Sequence, residues 1–315
     1  MEKRKLGDSG IEVSVIGLGC NNFGALPLDA SRRVVDRAID AGITLFDTAD
    51  VYGNRGGSET QLGEILGARR NQIVLATKFG MPMDDSGTKT GAKAAYIKEA
   101  CEASLKRLKT DRIDLYQQHR PDTDTPIEET LRALTDLVKE GKVRAIGCSN
   151  MPADQLAAAH ETSRKHKLAH YVTAQDHYSL LVRNIETALV PEVQKQHMGV
   201  LPYFPLASGL LSGKYEKGKD IPEGTRFART GRRFSDAYMT EENWTIVEKL
   251  TAFAKARGHT ILDLAFAWLL AHPWLPSVIA GATRPEQIDQ NAAAASWKLT
   301  ADEVAEVNRI SQKAA

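Results

Sequence analysis

The chain has 315 residues, 42% of them hydrophobic and 26% charged, an ordinary globular balance that excludes a disordered or fibrous protein. With 41 Lys and Arg against 40 Asp and Glu the formal net charge is +1, so the totals carry no broad basic footprint of the kind that binds nucleic acid non-specifically. Length alone suggests about two domains, but α/β barrels reach this size as one, and a single domain over 1–315 is expected. Cys20, Cys101 and Cys148 are too few and too widely spaced for a disulfide framework or a metal knuckle. The start MEKRKLGDSG lacks the apolar run of a secretory signal, and a partner-binding N-terminal tail is not expected. The longest apolar stretch, Ile261–Leu270, is broken by Asp263 and too short to span a bilayer. These features predict a cytoplasmic protein with neither membrane nor nucleic acid as partner.

In chain order, KRKLGDSGIEVS places two short runs around an Asp-Ser-Gly turn, the mark of a hairpin. A strand over 15–19 is followed by helical spacing over 30–41, through Val34, Val35, Ala38 and Ile39. A strand over 43–46 precedes a helix over 59–66. Strands over 73–77 and 113–116 flank a helix over 94–108, and a helix over 127–140 runs into Gly141, a residue type suited to ending it. Strand 143–147, helix 153–165 behind the first-turn Pro152, strand 171–175, helix 185–196 and strand 199–203 continue the alternation. The rhythm stops over 207–237, where Gly209, Gly213, Gly218, Gly224 and Gly231 lie among many basic residues. A loop that long in a compact domain is generally functional or mobile. Helices over 241–257 and 261–271, a strand over 278–280 and helices over 285–295 and 301–311 close the chain.

Strands alternating with helices call for a parallel sheet with right-handed crossovers. Eight such units fit a closed (β/α)8 barrel, here with an N-terminal β-hairpin and extra C-terminal helices. In that fold the chemistry gathers at the C-terminal ends of the strands. Asp47 and Tyr52 follow the second barrel strand, Lys78 follows the third, and His119 ends the fourth, so all four converge on one rim. Each alone has a bland explanation, since a rim Lys or Asp is ordinarily solvated and a lone His ordinarily just hydrogen-bonded. Together they are equipment for reducing a carbonyl. A free phenol titrates at about 10, too weak an acid for neutral pH, but an adjacent ammonium makes its proton easier to give up. A carboxylate keeps that ammonium charged, and a histidine can hydrogen-bond the substrate oxygen.

The stretches GLGCNNFG (17–24), FDTADVYG (46–53), ATKFG (76–80), QQHRPD (117–122), IGCSN (146–150), PYFPLASGLLSGKY (202–215) and GATRPEQIDQN (281–291) resemble the aldo-keto reductases, from first strand to last helices. PLASGLLSGKY and GATRPEQ are similar to the bacterial branch that includes the potassium-channel β-subunit group. The resemblance implies Tyr52 as proton donor, helped by Lys78 and Asp47, with His119 orienting the carbonyl of an aldehyde or ketone. It implies direct hydride transfer from a nicotinamide, without a metal. It also implies that Ser149, Asn150 and Gln175 hold the carboxamide, with Tyr203 stacked on the ring and Cys20 and Asn21 beside it. Phe204, Pro205, Leu206, Ala207 and Ser208 would line the pyrophosphate, and Gln290 and Asn291 the adenine. Lys214 and Arg226 match the branch's phosphate-binding positions, with hydrogen bonds from Thr283 and Gln287 and an extra cation in Arg284. Because a ribose phosphate attracts cations, NADP(H) is expected over NAD. Gly281-Ala282 and Gln287 stand where mammalian-type members carry a Lys-Ser pair and an Arg.

Two other readings stand beside the reductase: a nicotinamide-binding redox sensor or regulatory subunit with slow turnover, and an aldolase with Lys78 as Schiff base. A lysine paired with Asp47 stays charged, which argues against the latter. Gly17-Leu18-Gly19 mimics a dinucleotide fingerprint, but Gly24 comes two positions late. Specificity is expected in the loops, with Asn22, Phe23 and Arg120 facing the pocket and Met81 and Met83 as adaptable wall.

Overall fold

The computed structural model describes residues 1–230 and 235–313; Gly231 of the long glycine-rich loop falls outside them. Strands β1 (Lys3–Lys5) and β2 (Glu12–Ser14) form the antiparallel hairpin. Eight parallel strands follow: β3 (Ile16–Gly19), β4 (Leu45–Asp47), β5 (Val74–Phe79), β6 (Ile113–Gln118), β7 (Val143–Ser149), β8 (Tyr171–His177), β9 (Gly199–Tyr203) and β10 (Val278–Gly281). They are hydrogen-bonded in the order β10-β3-β4-β5-β6-β7-β8-β9, and β9 lies beside β10 to make a nearly closed barrel. This is the (β/α)8 fold.

Strand side chains alternate between faces, and the alternation sorts the core. Leu45, Ala76, Leu115, Ala145, Leu201 and Ile279 point inward and cluster with Leu6, Ile11 and Val13 of the hairpin, which therefore plugs the N-terminal end of the barrel. Phe46 and Leu75 point outward with Ile16 and Leu18 into one helix-covered cluster, and Tyr116, Ile146, Cys148 and Val200 into a second. Toward the C-terminal ends the inward positions turn polar. Asp47, Lys78, Gln117 and Gln175 occupy the interior where an apolar plug would otherwise continue, and all four are buried.

The covering helices are α1 (Leu28–Asp40), α2 (Tyr52–Leu66), α3 (Ala94–Leu108), α4 (Ile127–Lys139), α5 (Ala153–His166), α6 (Leu189–Lys195), α7 (Arg226–Thr230), α8 (Glu241–Lys255), α9 (Ile261–Leu270), α10 (Pro285–Ala294) and α11 (Ala301–Ser311). The single helix expected over 185–196 is instead a short turn, Asn184–Glu186, followed by α6. Pro191 has no N–H to donate and is tolerated only in a helix's first turn, so the helix restarts just ahead of it. The loop over 207–237 carries a 3-10 segment, Ala207–Ser212, and α7. Among the described residues no helix is long and apolar enough to cross a membrane.

Behind Tyr52 the chain makes a left-handed turn. Gly53, Asn54, Arg55 and Gly56 all have positive φ, between 60° and 113°, and regular α-helix begins only after them. A Cβ on Gly53 would lie 2.6 Å from the Phe23 carbonyl oxygen and 2.6 Å from the Ser58 nitrogen, so both the backbone angle and the close approach require glycine.

Candidate functional site

Parallel register brings the ends of β4, β5 and β6 level, pairing Asp47 with Ala76 and Lys78 with Gln117. Asp47 is the last residue of its strand and Lys78 the penultimate residue of its own, one and two positions deeper in the barrel than expected from the sequence. Lys78 is 0% exposed. Its Nζ donates to Asp47 Oδ2 at 2.6 Å and to the Thr48 carbonyl at 2.9 Å, and lies 3.4 Å from the Tyr52 hydroxyl. Burial alone would pull the ammonium's pKa down, but the Asp47 carboxylate and the phenol outweigh it and hold Lys78 above its ordinary value. It is a fixed cation. His119 meets the Tyr52 ring edge-on with centroids 5.7 Å apart. Burial, then the charges of Lys78 and Arg120, push its imidazole down to about 3, so it is neutral at physiological pH, and its Nδ1 has no partner among the described residues.

A second ring of residues holds this group in place. Asp47 Oδ1 accepts from Gln117 Nε2 at 3.0 Å and from Gln175 Nε2 at 2.9 Å. Gln117 was not singled out from the sequence, although it stands two residues before His119 on the same strand face. Its space depends on Gly147, where a Cβ would fall 3.2 Å from Gln117 Cγ and 2.4 Å from Thr173 Oγ1. Ser149 Oγ donates to the Gln175 carbonyl, and Asn150 Nδ2 donates to Ser149 Oγ and to the His119 carbonyl. Tyr203 donates its hydroxyl to Asn150 Oδ1 at 2.8 Å. Ser149, Asn150, Gln175 and Tyr203 thus form one hydrogen-bonded arc around the tetrad. His177, also missed in the sequence, stacks on the Tyr203 ring at 5.3 Å.

The other expected residues fall into three places. Phe204, Ala207 and Ser208 have positive φ and, with Pro205 and Leu206, form the turn after β9. Lys214 and Arg226 lie beyond it, with Arg226 over the Phe204 ring at 4.3 Å. At the end of β10, Gln287 Oε1 accepts from the Thr283 backbone at 2.7 Å and from its hydroxyl, while Gly281 and Gln290 are exposed and Asn291 is buried. Asn21 stands half-buried beside Gly281. Phe23 does not meet the expectation that it faces a substrate. Its backbone turns back on Cys20, and the ring is 0% exposed in the apolar core. Cys20 is likewise fully buried; burial and then the Asp47 charge push its thiol well up. His160 and His170 line a cleft with Asp8 and Arg164 near the opposite end of the barrel, away from this site.

A buried acid beside the site was invisible in the sequence. Asp50, 1% exposed, has no side-chain partner for either carboxyl oxygen among the described residues, and Glu59, 0% exposed, is held by Arg107 and Thr77. Burial, then the Glu59 charge, raises Asp50 from 3.8 to about 8. The folded state therefore retains a proton that the unfolded chain releases near pH 4, and its contribution to stability is lost as pH rises from there toward 8. Asp50→Asn should be more stable than the parent by about 1–3 kcal/mol at pH 8 and show a much smaller gain at pH 5. Denaturant midpoints at the two pH values check this, and a gain independent of pH would contradict it.

Residues 15–312 match the model of the Aldo/keto reductase family, and the chain belongs to that family of oxidoreductases. It is similar, at 36% identity covering 98% of this chain and 92% of its relative, to a Schizosaccharomyces pombe protein named "Putative voltage-gated potassium channel subunit beta".

Proposed function

We propose that this protein is an NADP(H)-dependent reductase that converts the carbonyl of an aldehyde or ketone to an alcohol, in the cytoplasm. The observation that carries this reading is the buried contact of Lys78 with both Asp47 and the Tyr52 hydroxyl, beside a neutral His119. When bound, the nicotinamide supplies the hydride. The chain's own residues supply the rest. Tyr52 holds a proton at its hydroxyl and passes it to the carbonyl oxygen, and the Lys78 ammonium stabilises the phenolate left behind. Asp47, fixed by Gln117 and Gln175, keeps that ammonium charged and aimed. His119 is neutral and so offers an N–H to the carbonyl oxygen without adding charge.

The cofactor assignment rests on the chemistry of the residues present. Ser149, Asn150, Gln175 and Tyr203 offer amide and hydroxyl groups suited to a carboxamide, with the Tyr203 ring half-buried at the rim. Lys214 is lowered by burial and then by Arg229, Arg226 and Arg284, so four cations share one neighbourhood, which suits a phosphate dianion. Lys214, Arg229 and Arg284 form no ion pair with a described residue. Fluorescence titration should show NADPH binding well ahead of NADH, with the Lys214→Ala/Arg226→Ala double variant losing about tenfold or more for NADPH and little for NADH. Equal loss for both would remove the phosphate assignment. Oxidation of NADPH with stoichiometric alcohol formation over a panel of aldehydes tests the activity itself.

A second reading is favoured by the name of the yeast relative: a regulatory subunit that holds nicotinamide and turns over slowly. Multiple turnovers on the panel support the enzyme, whereas tight retention of cofactor with a single slow turnover supports the subunit.

A further inference from the structure

We infer that Arg120 selects carbonyl substrates carrying an oxyanion, a carboxylate or phosphate ester, on the substituent that points out of the barrel. The inference rests on the reductase reading and deepens it by naming a substrate class.

Arg120 directly follows His119 at the open end of β6, and it is exposed. The residue before it is fixed at the site by its backbone. The His119 N–H donates to the Phe79 carbonyl at 2.9 Å, and the His119 carbonyl accepts from Asn150, which in turn accepts from Tyr203. Chain position sets Arg120 beside His119, whose ring meets Tyr52 edge-on, and its positive charge adds to burial and to Lys78 in holding the His119 imidazole down.

No carboxylate of the described residues pairs with it. Arginines that brace the fold do have such partners: Arg70 with Asp114, Arg107 with Glu59 and Arg183 with Glu186. The nearest acid in sequence, Asp122, is committed elsewhere. Its Oδ2 accepts from the Ala92 nitrogen at 2.7 Å and the Thr125 hydroxyl at 2.8 Å, and its Oδ1 from the Asp124 nitrogen. Inside the barrel the Asp47 charge is already balanced by Lys78. Among the described residues Arg120 thus has no acidic partner, and it follows His119 directly where β6 ends at the barrel mouth. A guanidinium presents a rigid fork of donors matched to a carboxylate or phosphate, and its weak hydration makes the exchange of water for such a group favourable.

The test compares matched pairs: para-carboxybenzaldehyde with its methyl ester, and the phosphate ester of glyceraldehyde with glyceraldehyde. The parent protein should favour the anionic member in kcat/KM. In Arg120→Met that preference should fall about tenfold or more, chiefly through KM, with Arg120→Lys recovering part of it. Calorimetric binding of para-carboxybenzyl alcohol and its methyl ester to the parent and both variants, with NADPH present, should show the same preference and the same loss. A parent without preference for the anion, or a preference that survives Arg120→Met, overturns the inference. The binding measurement decides it even for a protein that turns over neither aldehyde, an outcome that would remove the reductase reading while an Arg120-dependent preference in binding upheld this one.

Discussion

Tyr52→Phe is expected to lower carbonyl reduction by about two to four orders of magnitude while leaving the affinity for NADPH within a few-fold of the parent. The hydroxyl is the only atom removed, and it is the atom that Lys78 Nζ approaches at 3.4 Å. The ring itself stays anchored by its edge contact with His119. Nicotinamide affinity should persist, because the arc of Ser149, Asn150, Gln175 and Tyr203 is bonded to the backbones of His119 and Gln175 rather than to the phenol. His119 offers no substitute proton, since an imidazole held at about 3 is already deprotonated at the pH of the reaction. The measurement is a single-turnover rate with saturating NADPH, alongside a binding titration. A variant that keeps most of its turnover would mean that another group delivers the proton.

Much of this site was legible because barrel topology converts position in sequence into position in space. A polar residue at the end of a short apolar run must lie on the rim or just inside it, and Asp47, Lys78 and His119 obeyed that rule. The extra depth of Asp47 and Lys78 was not legible, because strand ends are set by ladder pairing with neighbours and not by the apolar run alone. Gln117 escaped notice for a related reason: a glutamine in an apolar run looks like an interruption until alternation places it beside Asp47. Phe23 misled in the opposite direction. An aromatic next to a functional loop suggests a pocket wall, but the turn from Cys20 folds its ring into the core. The left-handed turn over 53–56 could be suspected from GNRGG, yet only the close approach of Gly53 to Phe23 and Ser58 explains its necessity. The Asp50–Glu59 pair had no signal at all, since its cost and its restraint by Arg107 both arise from packing between α2 and α3.

Lys78→Met is expected to be the second drastic change, and it separates a structural role from a chemical one. Removing one member of a buried ion pair costs about 3–5 kcal/mol, because the partner is left charged and desolvated. Lys78→Met strands Asp47 with only the amide donors Gln117 and Gln175, and Asp47→Asn strands Lys78 with the Thr48 carbonyl and the phenol. Each single variant should therefore lose stability of that order. The double variant Asp47→Asn/Lys78→Met carries no buried charge at either position and should regain a large part of the loss, visible as a denaturant midpoint above those of both singles. Turnover should not return with it. If Lys78 served only to hold the barrel together, restoring stability would restore rate. If the ammonium stabilises the phenolate, single-turnover reduction stays at least two orders of magnitude below the parent in Lys78→Met and in the stable double variant alike. Recovery of both stability and rate in the double variant would reassign Lys78 to the scaffold.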